Sequence, residues 1–323
     1  MSILLAAILL YFTLRGLDWN MFFKSLQHVN YLHVVIMLIW SSVSFFIRAM
    51  RWRVLLRSQK YISPLIVFWA NMAGYFGNAM LPARAGEIVR AAYVARHTKI
   101  PATFAFATGI TERLVDLAAL VFISAGSLFF ADAFQKPVEE ALQSFAIVAI
   151  LGAVLFFFLP LFKGFINRIF DFLPFLSWSL KDKLHEMTHH FVDGVKVIAC
   201  FERGIPFLLF TAFIWLMDGF GMVIFASALH ETLTLPQAFL FIATLGISSA
   251  IPSTPGYVGV YQFVAVTVLV PFGFARESAL VLILLSQMMN LLIVSLWGSV
   301  GLWIGSREIF TYEQDSTEAE SHD

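Results

Sequence analysis

The chain has 323 residues, of which 59% are hydrophobic and 13% charged, and its mean hydropathy is +0.82. No soluble domain of this size tolerates such a surface, so composition excludes a water-soluble protein and requires an all-α polytopic membrane protein. The formal net charge is zero, and Cys200 is the only cysteine, which excludes an internal disulfide and a cysteine-based metal cluster.

Residues 2–14 resemble the apolar core of a signal peptide, but no basic residue precedes them and no small-x-small cleavage site stands before Arg15. They read as a short, retained first span. Further full spans are expected at 31–47, 103–130, 143–160, 206–229 and 279–304, about six in all. Residues 48–60 carry Arg48, Arg51, Arg53, Arg57 and Lys60 with no acid, and 161–205 carry six basic residues, so both face the cytoplasm. Segments 131–142 and 230–235 are acidic and face outward. The count places both termini in the cytoplasm of a multi-pass protein of the cell (inner) membrane. Arg51-Trp52-Arg53 reads as an interfacial anchor to anionic lipid.

Two apolar stretches, 63–81 and 236–270, are broken by Pro and Gly. The first separates two basic segments, 48–60 and 82–102, which a simple crossing would put on opposite sides. A re-entrant hairpin avoids this, with Asn78, Pro82 and Gly86 at its break and Asn71 and Asn78 on one face to satisfy freed backbone. The second stretch repeats the pattern with Pro252, Pro255, Gly256 and Gly259, so that Pro-x-x-x-Gly occurs at 82–86 and at 252–256. Each is followed by a long apolar helix with polar groups in mid-span, Glu112-Arg113 in one case and Gln287 with Asn290 in the other. The span count brings the hairpins in from opposite sides. Two broken hairpins in an inverted repeat place a substrate site where they meet.

The first hairpin and the helix after it carry Arg84, Glu87, Arg90, Glu112, Arg113 and Asp116, charges that need partners at membrane depth. Glu87 with Arg90 and Arg113 with Asp116 are neighbours at i,i+3. Glu112 and Asp116 share a face at i,i+4 and require a cation between them, Arg84 or Arg90 being nearest in sequence. The cluster reads either as a binding site or as an ion-pair lock between two helices. In the second hairpin, Ser253-Thr254-Pro255-Gly256 has the composition of a helix start, whose free N–H groups suit a lipid phosphate.

Residues 161–205 contain an amphipathic cytoplasmic segment, Ser177 to Cys200, and residues 307–323 form an acidic tail expected to be disordered. The single domain therefore covers 1–306. His185-Glu186-Met-Thr-His189 fits the H-E-x-x-H zinc pattern but sits in the charged surface segment, so solvated histidines are the simpler reading. Asp218 is alone in an apolar span and is either a proton-coupling group or a packing residue beside Gly219 and Gly221. No nucleotide-binding motif occurs, so neither cofactor nor bound metal is expected, and nothing points to nucleic acid.

Four blocks stand in a fixed order: Arg51-Trp-Arg, Asn78-Ala-Met-Leu-Pro-Ala-Arg-Ala-Gly-Glu-Ile-Val-Arg, Thr111-Glu-Arg-Leu-Val-Asp and Ile251-Pro-Ser-Thr-Pro-Gly-Tyr-Val-Gly-Val-Tyr. That order and spacing resembles the flippase-like, lysylphosphatidylglycerol synthase transmembrane-region family, which includes the membrane half of the multiple peptide resistance factor. The resemblance covers roughly residues 5–305. It implies a protein that moves a phospholipid or lipid-linked phosphate between leaflets. Fused relatives carry an aminoacyltransferase domain after the membrane region, and only an acidic tail stands there in this sequence, so no enzyme activity is expected. Many relatives have Glu where this chain has Gln262, which leaves any coupling to Glu112, Asp116 or Asp218. The expected partner is a membrane lipid with an anionic headgroup, and a homo-oligomer is open. The alternatives are an intramembrane enzyme acting on lipid phosphates, a zinc peptidase through His185, Glu186 and His189, or a scaffold whose charges are only a lock.

Overall fold

The computed structural model describes residues 2–81, 85–129, 200–249 and 254–320, with isolated positions between 164 and 192. Among them are ten α-helices and no strand: α1 (Ser2–Leu14), α2 (Trp19–Gln27), α3 (Tyr31–Leu56), α4 (Pro64–Met80), α5 (Gly86–His97), α6 (Ala102–Phe129), α7 (Phe201–Ser227), α8 (Leu235–Ser248), α9 (Val260–Leu269) and α10 (Arg276–Glu320). The chain is thus an all-helical membrane protein. Three helices are long and apolar enough to cross a bilayer: α3, α7 and the Arg276–Gly305 part of α10. With 28 residues α6 has the length as well, but Glu112, Arg113 and Asp116 interrupt its apolar character. The expected span 143–160, most of the amphipathic segment and Glu186 lie outside the described residues. In place of the expected disorder, α10 continues through the acidic tail to Glu320. A helix already nucleated propagates cheaply through residues such as Glu, Gln and Ala.

α3 overruns its expected end by nine residues, reaching Leu56 rather than residue 47. The extra turns carry Arg48, Arg51 and Trp52 inward, and Arg51 and Trp52 are buried. The interfacial-anchor reading of these two is therefore corrected, because a helix of period 3.6 puts 48, 51 and 52 on the face that meets α6 and α7. Arg53 alone stays near the loop, donating through Nε to the Ile62 carbonyl at 2.7 Å.

The first broken stretch is a hairpin. Pro64 starts α4 with φ already suited to a helix. α5 runs back along α4, so that Gly86 lies beside Gly77 and Arg90 beside Gly74. At 12 residues α5 spans about 18 Å, short of a bilayer core. The Asn78 side-chain oxygen accepts the Gly86 N–H at 2.9 Å, satisfying backbone freed at the break. Asn71, expected to share that task, instead accepts from Arg90.

The second stretch opens with a capping box, in which the Gln237 side chain accepts the Thr234 N–H at 2.9 Å, and α8 ends at Ser248. A short 3-10 turn, Pro255–Tyr257, then packs against α4 before α9 begins. Gly256, Tyr257 and Gly259 all have positive φ, of 72°, 57° and 91°. A Cβ on Gly259 would fall 2.6 Å from the Ala6 carbonyl oxygen, so α1 rests directly on this backbone. Gly259→Ala should cost about 1–3 kcal/mol, counting both steric overlap and left-handed strain. A lower thermal midpoint in detergent checks it, and an unshifted midpoint counts against that contact.

The two halves correspond helix for helix, α3–α6 with α7–α10. α4 packs on α10 as α8 packs on α6, and α3 packs along α7. That last pair is antiparallel: the Asn30 N–H donates to Ala228, Trp40 Nε1 donates to the Met217 carbonyl and Arg51 reaches Thr211. Corresponding helices running in opposite directions are what an inverted repeat requires.

Candidate functional site

Where α3, α5 and α6 meet, arginines and carboxylates interleave. Arg51 grips Asp116 with Nη1 on Oδ1 at 2.5 Å and Nη2 on Oδ2 at 2.9 Å. Its Nε and Nη2 also donate to Glu112 Oε1 at 3.1 and 2.8 Å. This is the cation that the Glu112–Asp116 pair needs, and it comes from α3 rather than from Arg84 or Arg90. Arg90 approaches Glu112 from its other oxygen, Nη1 to Oε2 at 2.9 Å, while its Nη2 pairs with Glu87 Oε2 at 2.6 Å. Its guanidinium lies 4.5 Å from the centre of the Trp52 ring, and Trp52 Nε1 is itself held by Thr108 Oγ1 at 3.1 Å.

Arg113 does not pair with Asp116 as its spacing suggests. It turns to α5, donating from Nε and Nη2 to Glu87 Oε1 at 3.1 and 2.9 Å. Asp218 is not isolated either. Arg48 holds its Oδ2, and Ser44 Oγ donates to its Oδ1 at 3.4 Å. Arg48 stands one helical turn before Arg51 on α3, so the Arg48–Asp218 pair adjoins the Arg51–Glu112–Asp116 group. Four arginines (48, 51, 90 and 113) are thus matched by four carboxylates (87, 112, 116 and 218) among the described residues.

Exposure divides this network in two. The Arg51 and Glu112 side chains are 1% and 2% exposed and form a dry floor, whereas Arg113 is 34% and Asp218 25% exposed, at the rim. In the floor Arg51 is hydrogen-bonded to Glu112, Asp116 and Thr211, and Glu112 to Arg51 and Arg90, as burial requires. At the rim, guanidinium N–H groups are within reach of water or a ligand.

Arg84, Pro82, Pro252 and Ser253 lie outside the described residues. Thr254 begins only the three-residue 3-10 turn Pro255–Tyr257, with Pro255 at its first position as the composition suggested, but its hydroxyl donates to the Val258 carbonyl at 3.0 Å instead of capping that turn. The α-helix α9 starts only at Val260, because the positive φ of Gly256, Tyr257 and Gly259 cannot continue a helix. Gln262 joins an amide chain: it accepts the Gly259 N–H at 2.7 Å and donates to Gln287 at 2.6 Å, which donates to the Gly256 carbonyl at 2.7 Å. Being a neutral amide, it carries no proton for coupling. His185 and His189 fall on helical positions, and among the described residues no group of three His, Cys, Asp or Glu could hold a metal ion. Sequence reasoning missed Arg48, Arg51 and Asn71 as members. The signal was the i,i+3 spacing of Arg48 and Arg51 in line with a span that had no reason to stop.

The family description "Lysylphosphatidylglycerol synthase TM region" matches residues 1–298. The chain belongs to that family. A UPF0104 membrane protein of Methanocaldococcus jannaschii is 25% identical over 239 residues, covering 72% of this chain and 96% of its own. A second UPF0104 membrane protein of the same organism is 22% identical over 305 residues, 88% of each chain. No solved structure matches. Members of the lysylphosphatidylglycerol synthase transmembrane-region family are linked to lipid handling, and this chain carries that membrane region.

Proposed function

We propose that the protein translocates a phospholipid or lipid-linked phosphate between leaflets, binding its headgroup and leaving it chemically unchanged. The observation that carries this reading is a charge-matched cluster that is buried at Arg51 and Glu112 and partly exposed at Arg113 and Asp218. Arg113 is the most exposed of the four arginines, and its planar fork suits a phosphodiester. Arg84, two residues before α5 in sequence, would add a further positive charge, while Glu87, Glu112 and Asp116 balance the arginines. The acyl tails remain in the bilayer as the headgroup crosses. The turn at 255–257, seated against α4, brings the second hairpin to the first, with Thr254 and Gly256 on that side. Asn78, Gly86 and Gly259 act as its fixed hinges.

Orientation follows the basic residues. Because α5 returns alongside α4, Arg57 and Lys60 before the hairpin come to the same side as Arg96 and Lys99 after it, which supports a cytoplasmic placement of both. That side also holds both termini in this reading.

Arg113→Ala should slow headgroup translocation in reconstituted vesicles at least about tenfold, the loss of one charge-assisted contact. Arg113→Lys should restore only part of the rate, lacking the bidentate fork. The thermal midpoint of both variants should stay close to that of the parent, since this pair is partly solvated. A parental rate in Arg113→Ala sinks the reading.

A further inference from the structure

We propose that Asp218 is the proton-coupling group of this transporter, and that it works by losing Arg48 to the incoming lipid phosphate. The inference rests on the translocation reading and adds its energetics. Of the four cluster carboxylates Asp218 is the most exposed, and it is the least securely held. Glu112 accepts from both Arg51 and Arg90, and Asp116 is gripped by both terminal nitrogens of Arg51. Asp218 has one guanidinium and a long contact from Ser44.

Among the described residues Arg48 is the one cation paired with Asp218. From α3 come Arg48 and Arg51, and Arg51 is already committed to two carboxylates. On α6, Asp116 is a like charge, acts on Arg48 and is itself bound by Arg51. From α4 comes the Tyr75 phenol, beyond Arg48. α8 offers Phe239 against Gly219 and has no ionisable residue in its sequence.

A phosphodiester that reaches the partly exposed Arg48 therefore competes with Asp218 for its guanidinium. When it wins, the carboxylate is left without a counter-ion, an unpaired charge is costly there, and it takes a proton supplied by the bulk buffer onto Oδ2. One negative charge arrives on the phosphate and one positive charge on Asp218, so the site stays neutral. Departure of the headgroup reverses both steps. A headgroup and a proton thus move together, and a pH gradient can drive accumulation.

The test is direct binding. Purified protein in detergent is titrated with dihexanoylphosphatidylglycerol, whose phosphodiester does not titrate near neutral pH, in weak buffer with a pH indicator. The wild type should take up about one proton per headgroup bound. Asp218→Asn should bind the same lipid several-fold more tightly with no uptake, because Arg48 is freed of its competitor. Binding by the wild type without uptake, or uptake that persists in Asp218→Asn, overturns the coupling and leaves translocation standing. Absence of binding by the wild type overturns the coupling too, and a parallel vesicle assay showing no headgroup movement then removes the translocation reading with it.

Discussion

Arg51→Ala should destabilise the protein by about 3–5 kcal/mol, enough to prevent recovery of folded material from detergent. The arginine is 1% exposed and joins Glu112, Asp116 and Thr211, from α6 and α7, to α3. Removing it leaves two carboxylates four residues apart on α6, both desolvated and mutually repulsive. Arg51→Lys should recover little, since a single ammonium cannot span both groups in the geometry the fork provides. The triple variant Arg51→Met, Glu112→Gln, Asp116→Asn should regain most of the stability, because replacing a whole buried ion set by neutral side chains is far cheaper than breaking it. Thermal unfolding with size-exclusion chromatography reads all three. An Arg51→Ala protein that melts with the parent shows that these bonds do not join the helices.

Gly86→Ala should be as damaging, by a different route. The added methyl would sit 1.9 Å from the Gly74 carbonyl oxygen and 2.6 Å from the Asn78 nitrogen, both backbone atoms that cannot swing aside. The expected cost is at or above the roughly 3 kcal/mol upper end of ordinary overpacking. The hairpin would have to part, carrying Glu87 and Arg90 away from α6, so translocation should fail together with stability. Gly109→Ala is the informative comparison, because its methyl would meet the movable Arg90 Nη2 at 2.6 Å. It should cost less in thermal midpoint. Equal losses in the two variants would argue against a backbone clash as the cause.

Composition and the Pro and Gly breaks are local properties, and they carried the membrane class, both hairpins and the repeat. The Glu87–Arg90 pair was legible for the same reason, being i,i+3 on one helix. Partners from distant segments were not: Arg51 lies 61 and 65 residues from its carboxylates, and Arg48 lies 170 from Asp218. Charge counting also placed Arg48, Arg51 and Arg53 in a loop, since the basic residues that mark a cytoplasmic side look the same as those that continue a helix inward. The Ser253–Gly256 start yields only a three-residue 3-10 turn, because capping composition is blind to the positive φ of Gly256, Tyr257 and Gly259.

The amide chain through Gln262 and Gln287 has a consequence for how the two halves answer their surroundings. The first hairpin is held by ions and the second by groups that neither gain nor lose protons between them. Acidification strong enough to neutralise carboxylates would loosen one arm of the pseudo-symmetric pair and leave its counterpart untouched. The two halves thus match in helix order but not in chemistry, and a change of pH acts on them unequally.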